Sequence, residues 1–434
     1  MITSAIGKIF LQVYNEKYNT QYDAENFFIK VYYPLFFDHE KYMMTAGNSP
    51  LENPKISWED MLRKKSPFET LQQRKERFDK LIKKIKNSEA DSSIAIGYPS
   101  LDVGASTSGQ VSNINIAFSK ADVYLSWIGS GLGVGVGGGM SILFDNPNIL
   151  IDVFEGWKIY RDVLNRMPTL KGNQINTWNG QWLAHIYDSR TFIESNPMAN
   201  FDPFVTEKGI ISIDTQSWTK VLIAISKKYI DSQMMGYVYN YGQTNKTIGF
   251  IPFILSEIRK PIELYKKLFG MDDGNKAEKI YGTAFGFSKA CQAGSIGVRA
   301  MEPKGLKEYF EKGKLPKIKV NDEEQKINFN IYQIWILAML NNEDLWVKAQ
   351  NFAKELQSYA KNGKKSTTGN SQKVQTVIAA TSKRNIIEAL VEIVSDAENS
   401  EQITEIASLI NAMPTENVPY FLTLVRFHFA AIEK

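Results

Sequence analysis

Apolar residues in the last quarter of the chain recur at three- and four-residue spacing. The segments IYQIWILAML (331–340), DLWVKAQNFAKELQSYA (344–360), SKRNIIEALVEIVSDA (382–397), EQITEIASLINAM (401–413) and VPYFLTLVRFHFAAI (418–432) each place them on a helical stripe. Residues 327–434 are therefore expected to form a helical bundle. The connection KNGKKSTTGNSQK (361–373) contains no apolar residue, so it is expected to be exposed and mobile. Between residues 92 and 154 the texture changes to short runs separated by Gly, Pro and Asn: IAIGY, VSNINIAF, VYLSWI, MSILF and ILIDVF. These predict a sheet. Residues 1–90 read as helical, dense in rings through FFIKVYYPLFFDHEKYMM and interrupted at Pro34. Ser66-Pro67-Phe68-Glu69 has the spelling of a capping box with proline at the first helical position. Phe68, Leu71, Phe78, Leu81, Ile82 and Ile85 then fall on one stripe, with cations around the rest. Residues 155–325 mix helices and strands. The expected fold is α+β: a mixed N-terminal domain with a central sheet over 1–325, followed by a C-terminal helical bundle over 327–434.

The 434 residues, 43% apolar and 12% aromatic, suffice for two or three domains with ample cores. Cys291 is the only cysteine. No internal disulfide or paired-cysteine metal site can form, which fits a reducing compartment, and the cytoplasm is the expected location. The opening MITSAIGKIFLQVYNEKYN has too short an apolar run to act as a secretory signal. The uncharged stretch between Asp122 and Asp145 is long enough to span a bilayer. Seven of the eleven residues from Gly129 to Gly139 are glycine, however, and the flanks are acidic, so no membrane partner is expected.

Net charge is +4, but unevenly placed. Arg63 to Lys86 carries ten Lys/Arg against three acids, whereas Asn385 to Lys434 has eight acids against Arg426 and Lys434. One surface for phosphates and another for protein neighbours would account for this asymmetry; a solvated helix face is the plainer account of either run alone.

Catalytic constellations are scarce. Gly133, Gly135 and Gly138 match a dinucleotide-loop spelling, but a strand-like MSILF follows where a helix is required. Glycine at every second position from Gly129 to Gly137 would give a strand one bare face, open to a ligand, a nucleic-acid strand or a neighbouring backbone. His39, His185 and His428 are far apart and share no motif. Asp152, Glu155 and Lys158 are the residues on which a metal-dependent nuclease of restriction-enzyme type would rest, although their spacing departs from the acid then E-x-K pattern. No cofactor is expected. What remains is a concentration of amides and hydroxyls: Thr107-Ser108-Gly109-Gln110, Asn113, Asn115, Lys171-Gly172-Asn173-Gln174, Asn176 and Trp178-Asn179-Gly180-Gln181-Trp182. Asn and Gln read adenine edges, and a ring wedges a base step open. Singly, such residues are turns and caps.

TSGQVSNINIA, SWIGSGLGVGVGGG, EGWKIYRDVLN and LKGNQINTWNGQWLAH, ahead of a helical bundle, resemble the large subunit (the Cas-eight family) of type I CRISPR effector complexes. The resemblance covers local texture from about Ser92 to His185 and the layout of the chain. It implies a non-catalytic subunit that recognises a short motif flanking the target in duplex DNA and starts strand separation. Its partners would be target DNA, guide RNA-loaded backbone subunits and a separate helicase-nuclease. On this reading Gln110, Asn113, Lys171, Asn173, Gln174, Asn179 and Gln181 contact the motif, while Lys75, Arg77, Lys83, Lys84 and Lys364 hold phosphates.

Overall fold

The computed structural model describes residues 1–47, 49–52, 58–98, 118–230, 233–240, 246–270, 286–317, 322–361, 367–395, 397 and 400–432. They divide into two compact units, Met1–Leu255 with Cys291–Ser295, and Ser256–Ala290 with Ile296–Lys434. The division expected at 325/327 falls inside the second unit. The fold is α+β, with a small antiparallel sheet and a helical C-terminal region.

The first unit begins with α1 (Ile2–Tyr18), α2 (Ala24–Phe27), a π-helical turn (Phe28–Tyr32) and α3 (Tyr33–Phe36), which opens at Pro34. Then come α4 (Trp58–Leu62), α5 (Leu71–Asn87), α6 (Lys120–Gly131), β1 (Val134–Val136), β2 (Met140–Phe144), α7 (Pro147–Arg166) and α8 (Ile175–Ile186). The hairpin β3 (Phe204–Glu207) and β4 (Ile210–Ile213), α9 (Trp218–Lys228), β5 (Gln233–Asn240) and β6 (Lys246–Ile254) complete it. The main sheet runs β1-β2-β5-β6, antiparallel throughout, with Val134 opposite Ile142, Ile142 opposite Val238 and Gly236 opposite Ile251.

Helices α1 and α6 touch backbone to backbone. A Cβ on Gly7 would collide with the Leu125 carbonyl, and one on Gly129 with the Thr3 carbonyl. Ser4 Oγ donates to the Asp122 carbonyl (2.8 Å), and Thr3 Oγ1 to that of Ile96 (2.8 Å). Beside this seam lie the rings of Phe10, Phe27, Phe154 and Trp157, with Phe10 and Phe27 edge to face at 5.6 Å.

Two runs expected as strands, VYLSWI and ILIDVF, lie in α6 and α7. MSILF is β2, IAIGY lies in turns, and most of VSNINIAF is outside the described residues. The helices start at strong caps. Ser119 and Asp122 form a reciprocal capping box, and the Asn146 side chain accepts from the N–H groups of Asn148 and Ile149 just before Pro147. Every residue from Val123 to Gly131 is buried. A helix apolar on all sides shows no 3.6-residue period, which is why it reads like a strand. The cap expected at Ser66 is instead at Thr70, paired with Gln73. Leu81 and Ile85 of α5 are buried as the stripe requires, but Leu71, at its first position, is 65% exposed.

In the second unit, α10 (Leu255–Phe269), α11 (Gly286–Gln292) and α12 (Lys307–Lys312) precede six helices: α13 (Glu323–Leu340), α14 (Asp344–Lys361), α15 (Thr367–Ala379), α16 (Lys383–Val394), α17 (Ser400–Ala412) and α18 (Val418–Ile432). Five coincide with the amphipathic segments. The sixth, α15, occupies much of the connection expected to be mobile. Helix α18 packs against α12, α13, α14 and α15. Its fully buried Arg426 has no carboxylate partner among the described residues and donates instead to the carbonyls of Ile378 (2.6 Å), Ala380 and Tyr309 (3.1 Å), and to Thr423 Oγ1 (2.9 Å). Ile378 and Ala380 lie at the carbonyl end of α15, where a cation is favoured. Burial draws the guanidinium pKa down to about 10, still charged at neutrality.

Replacing Arg426 with methionine strands these acceptors and is expected to cost about 3 kcal/mol, measured as a lower urea midpoint. His428, against Trp346 at 4.5 Å, is held by burial at a pKa of about 4. Its unfolded value is about 6.5, so the unfolded chain takes up the proton first. Stability is full above that value and falls as pH descends towards about 4. His39, also at about 4 because of burial and the Arg161 charge, acts in the same sense. Melting temperatures at neutral pH and near pH 5 should therefore differ by less in His428→Phe than in the native chain, with a residual slope from His39.

Candidate nucleic-acid interface

The amide-rich and glycine-rich segments singled out above meet each other. Helix α8 lies on β1, and the bare face at Gly135 is what admits it: a Cβ there would stand 2.7 Å from the Asn176 carbonyl oxygen. A Cβ on Gly180 of α8 would in turn strike the Gly135 carbonyl. Gly129 and Gly135 are thus covered by a neighbouring backbone, Gly131 and Gly133 by the side chains of Phe36, Trp157, Asn176 and Tyr239, and the stretch divides into the end of α6 and the short strand β1.

The amides satisfy carbonyls left open where α6 ends. Asn179, fully buried, donates through Nδ2 to the carbonyls of Gly131 (2.8 Å) and Gly133 (2.9 Å), and Asn176 donates to Gly133 (3.0 Å). Gln181 donates to the Asp214 carbonyl (2.8 Å) and accepts from Gln216 Nε2 (3.0 Å). Gln174 Oε1 accepts from the Ile213 N–H (3.1 Å). Asn173 takes a left-handed conformation (φ 58°) and donates its N–H to the Tyr42 carbonyl (2.8 Å). Its side-chain amide, oriented to satisfy both neighbours, donates to the Met44 carbonyl and accepts from Trp58 Nε1. Lys171 is half-buried and donates its N–H to Ile211 (2.8 Å). Trp178 and Trp182 are buried, their indole N–H groups bonded to the carbonyls of Gly156 and Asp152 (both 2.9 Å). Asn179 and Gln181 are buried and do not offer their amides to base edges as expected, nor do the buried rings of Trp178 and Trp182 stand free as a wedge; the half-buried Asn173 and Gln174 bond neighbouring groups at the start of α8. Gln110 and Asn113 lie outside the described residues, as does Lys364.

The nuclease alternative meets a similar correction. Asp152, Glu155 and Lys158 lie on helix α7, where an E-x-K strand cannot form. Asp152 Oδ2 accepts from Tyr187 Oη (2.6 Å), while Glu155 accepts from Tyr18 Oη and pairs with Lys158 (3.3 Å) and Lys17 (3.5 Å). Among the described residues no group of three His, Cys, Asp or Glu is placed to hold a metal ion, and no helix is long and apolar enough to cross a membrane.

The basic helix is built as a surface. Leu81 and Ile85 anchor α5, the Tyr33 ring packs on Phe78 at 4.0 Å, and the opposite side faces solvent. Lys75, Lys80 and Lys83 are exposed and form no ion pair among the described residues. Arg77 is committed elsewhere. Its Nε bonds the buried Glu69 carboxylate and its Nη1 donates to the Glu52 carbonyl (2.7 Å). Glu69 also accepts from Tyr42 Oη, whose pKa is raised by burial and by that carboxylate. This use of Glu69 leaves it unavailable as the third residue of a cap at Ser66. Lys84 donates to Ser93 Oγ (2.5 Å). Beside α5 opens a cleft of about 810 Å³, with Gln73, Glu76, Arg77, Lys80 and Lys84 on the helix wall, facing Gly47, Ser49, Pro50 and Glu52. Lys80 was legible only as one cation of a run. No protein-family model, curated protein or solved structure matches the chain.

Asn179→Leu should destabilise the protein by about 2–3 kcal/mol by removing two donors to buried carbonyls. Because the amide faces inward, DNA affinity at temperatures well below the transition should be unchanged, as read by fluorescence anisotropy.

Proposed function

We propose that this chain is a non-catalytic nucleic-acid-binding subunit that grips phosphates through α5. One observation carries the reading: Lys75 and Lys83 project into solvent from a helix whose other face is anchored, with no carboxylate partner among the described residues. Lysines that hold no ion pair displace counterions from a nucleic-acid backbone, and that release is the main source of sequence-independent affinity. The mixed N-terminal part and C-terminal bundle accord with the resemblance to the large subunit of type I CRISPR effector complexes. In that role the protein works in the cytoplasm beside guide RNA-loaded subunits and a helicase-nuclease, and aids the opening of target DNA. The amides of residues 173–181 are engaged within the fold, so this proposal assigns them no base contact. Reading of a flanking motif then rests on other residues.

In anisotropy titrations over a series of salt concentrations, the double variant Lys75→Gln/Lys83→Gln should bind DNA more weakly. The slope of log affinity against log salt should flatten by about 2, close to one unit per lost phosphate contact. Affinity and slope equal to those of the native chain would sink the proposal.

A further inference from the structure

The cleft beside α5 has a shape and charge balance that the exposed face of the same helix lacks. Its volume, about 810 Å³, falls in the range of sites that enclose a small ligand or a single residue of a polymer. It is also concave. Ser49 and Pro50 stand across from the helix wall, so a ligand in the cleft meets protein on two sides.

The lining is mixed, with two carboxylates and three cations, and the hydrogen bonds show which of these groups are already engaged. Glu52 is turned back on its own loop and accepts from the Ala46 N–H (2.7 Å). Burial raises its pKa, against the hydrogen bonds it receives. Glu76 accepts from Gln72 Nε2 (2.9 Å). Arg77 is spent on Glu69 and on the Glu52 carbonyl. Lys84 reaches only the hydroxyl of Ser93, which itself bonds the Asp91 carboxylate. Lys80, one turn before Lys84, has no carboxylate partner among the described residues. Side chains four residues apart on a helix lie about 5–6 Å apart at Cβ, close enough to share one phosphate. Each carboxylate on the lining thus has a donor, while Lys80 is left open beside Lys84. Gln73 spends its Oε1 on the Thr70 N–H and hydroxyl in the capping box, which leaves its Nε2 as a donor at the other end of the helix wall.

We propose that this cleft receives an unpaired nucleotide of a single strand, with its phosphate on Lys80 and Lys84 and its base between the helix and the Ser49–Pro50 wall. The inference rests on the reading of α5 as the nucleic-acid contact and goes further by naming the form bound. A paired nucleotide is locked in a stack and cannot enter a pocket without first being extruded, whereas an unpaired one enters without that cost.

The test uses the full-length chain, with a fluorescein-labelled oligothymidine of about 15 nucleotides and a blunt duplex of equal length, titrated at one salt concentration. The single strand should bind at least about tenfold more tightly. Lys80→Gln and Lys80→Gln/Lys84→Gln should erase most of that preference while leaving duplex affinity within about twofold, whereas Lys75→Gln/Lys83→Gln should weaken both probes together. Lys80 is exposed and circular dichroism should show it dispensable for folding, so the single variant stays informative if loss of the Lys84–Ser93 bond perturbs the double one. Equal affinity for strand and duplex, or equal loss of both in Lys80→Gln, would overturn the pocket and leave the phosphate-gripping role of α5 standing. Failure to bind either probe would overturn both.

Discussion

The first unit depends on one close approach, that of α8 to β1 and to the end of α6. An α-helix leaves its last carbonyls without partners, and burying them uncompensated is costly. Here α6 ends inside the protein, and the side chains of Asn176 and Asn179 supply the missing donors. Those amides reach the carbonyls because β1 carries glycine where α8 sits. Glycine and asparagine are therefore two halves of one device: the first removes the steric obstacle, the second satisfies the exposed polar groups. Tyr160 and Trp178, stacked at 4.8 Å, extend the contact to α7.

Where a helix end is buried elsewhere, a cation takes the part of the amide. Arg161 reaches the carbonyls of Leu35 (2.8 Å) and Lys41 (3.0 Å), and Lys41 Nζ reaches that of Met167 (2.7 Å), so the ends of α3 and α7 are closed by each other's neighbourhood. Burial, aided by the Arg161 charge, lowers the Lys41 pKa to about 8. Arg426 does the same for α15 in the second unit. The cations of Lys41, Arg161 and Arg426 are thus structural, which sets apart the lysines of α5 that have no such employment.

Legibility in the sequence followed the environment of each element. Helices with one wet face, such as α14 and α16, announce themselves by period. Helix α6 does not: burial on nearly all sides erases the period, and its VYLSWI run imitates a strand, as does the ILIDVF run that opens α7, whose remainder from Phe154 reads as helix. The sheet was legible in MSILF but not in its partners β5 and β6, which come from beyond the stretch expected to form it. The segment from Gly129 to Gln181 was rightly set apart as unusual, yet a single sequence does not say whether an asparagine faces a base or a buried carbonyl. The cationic run of α5 could be read directly. The cleft could not, because its far wall comes from an earlier loop whose position depends on Tyr42, Glu52 and Glu69.

The Gly7–Gly129 seam has a consequence for how the chain comes into being. Helix α1 finds Phe27 nearby in the chain for Phe10, but its Ser4–Gly7 face has no partner until α6 exists, since it docks against Asp122, Leu125 and Gly129. On a ribosome adding about 5–20 residues per second, α1 waits for several seconds with that face uncovered. Burial of α1 thus trails its synthesis by the length of chain that separates it from α6, and its Ser4–Gly7 face needs shielding in that interval.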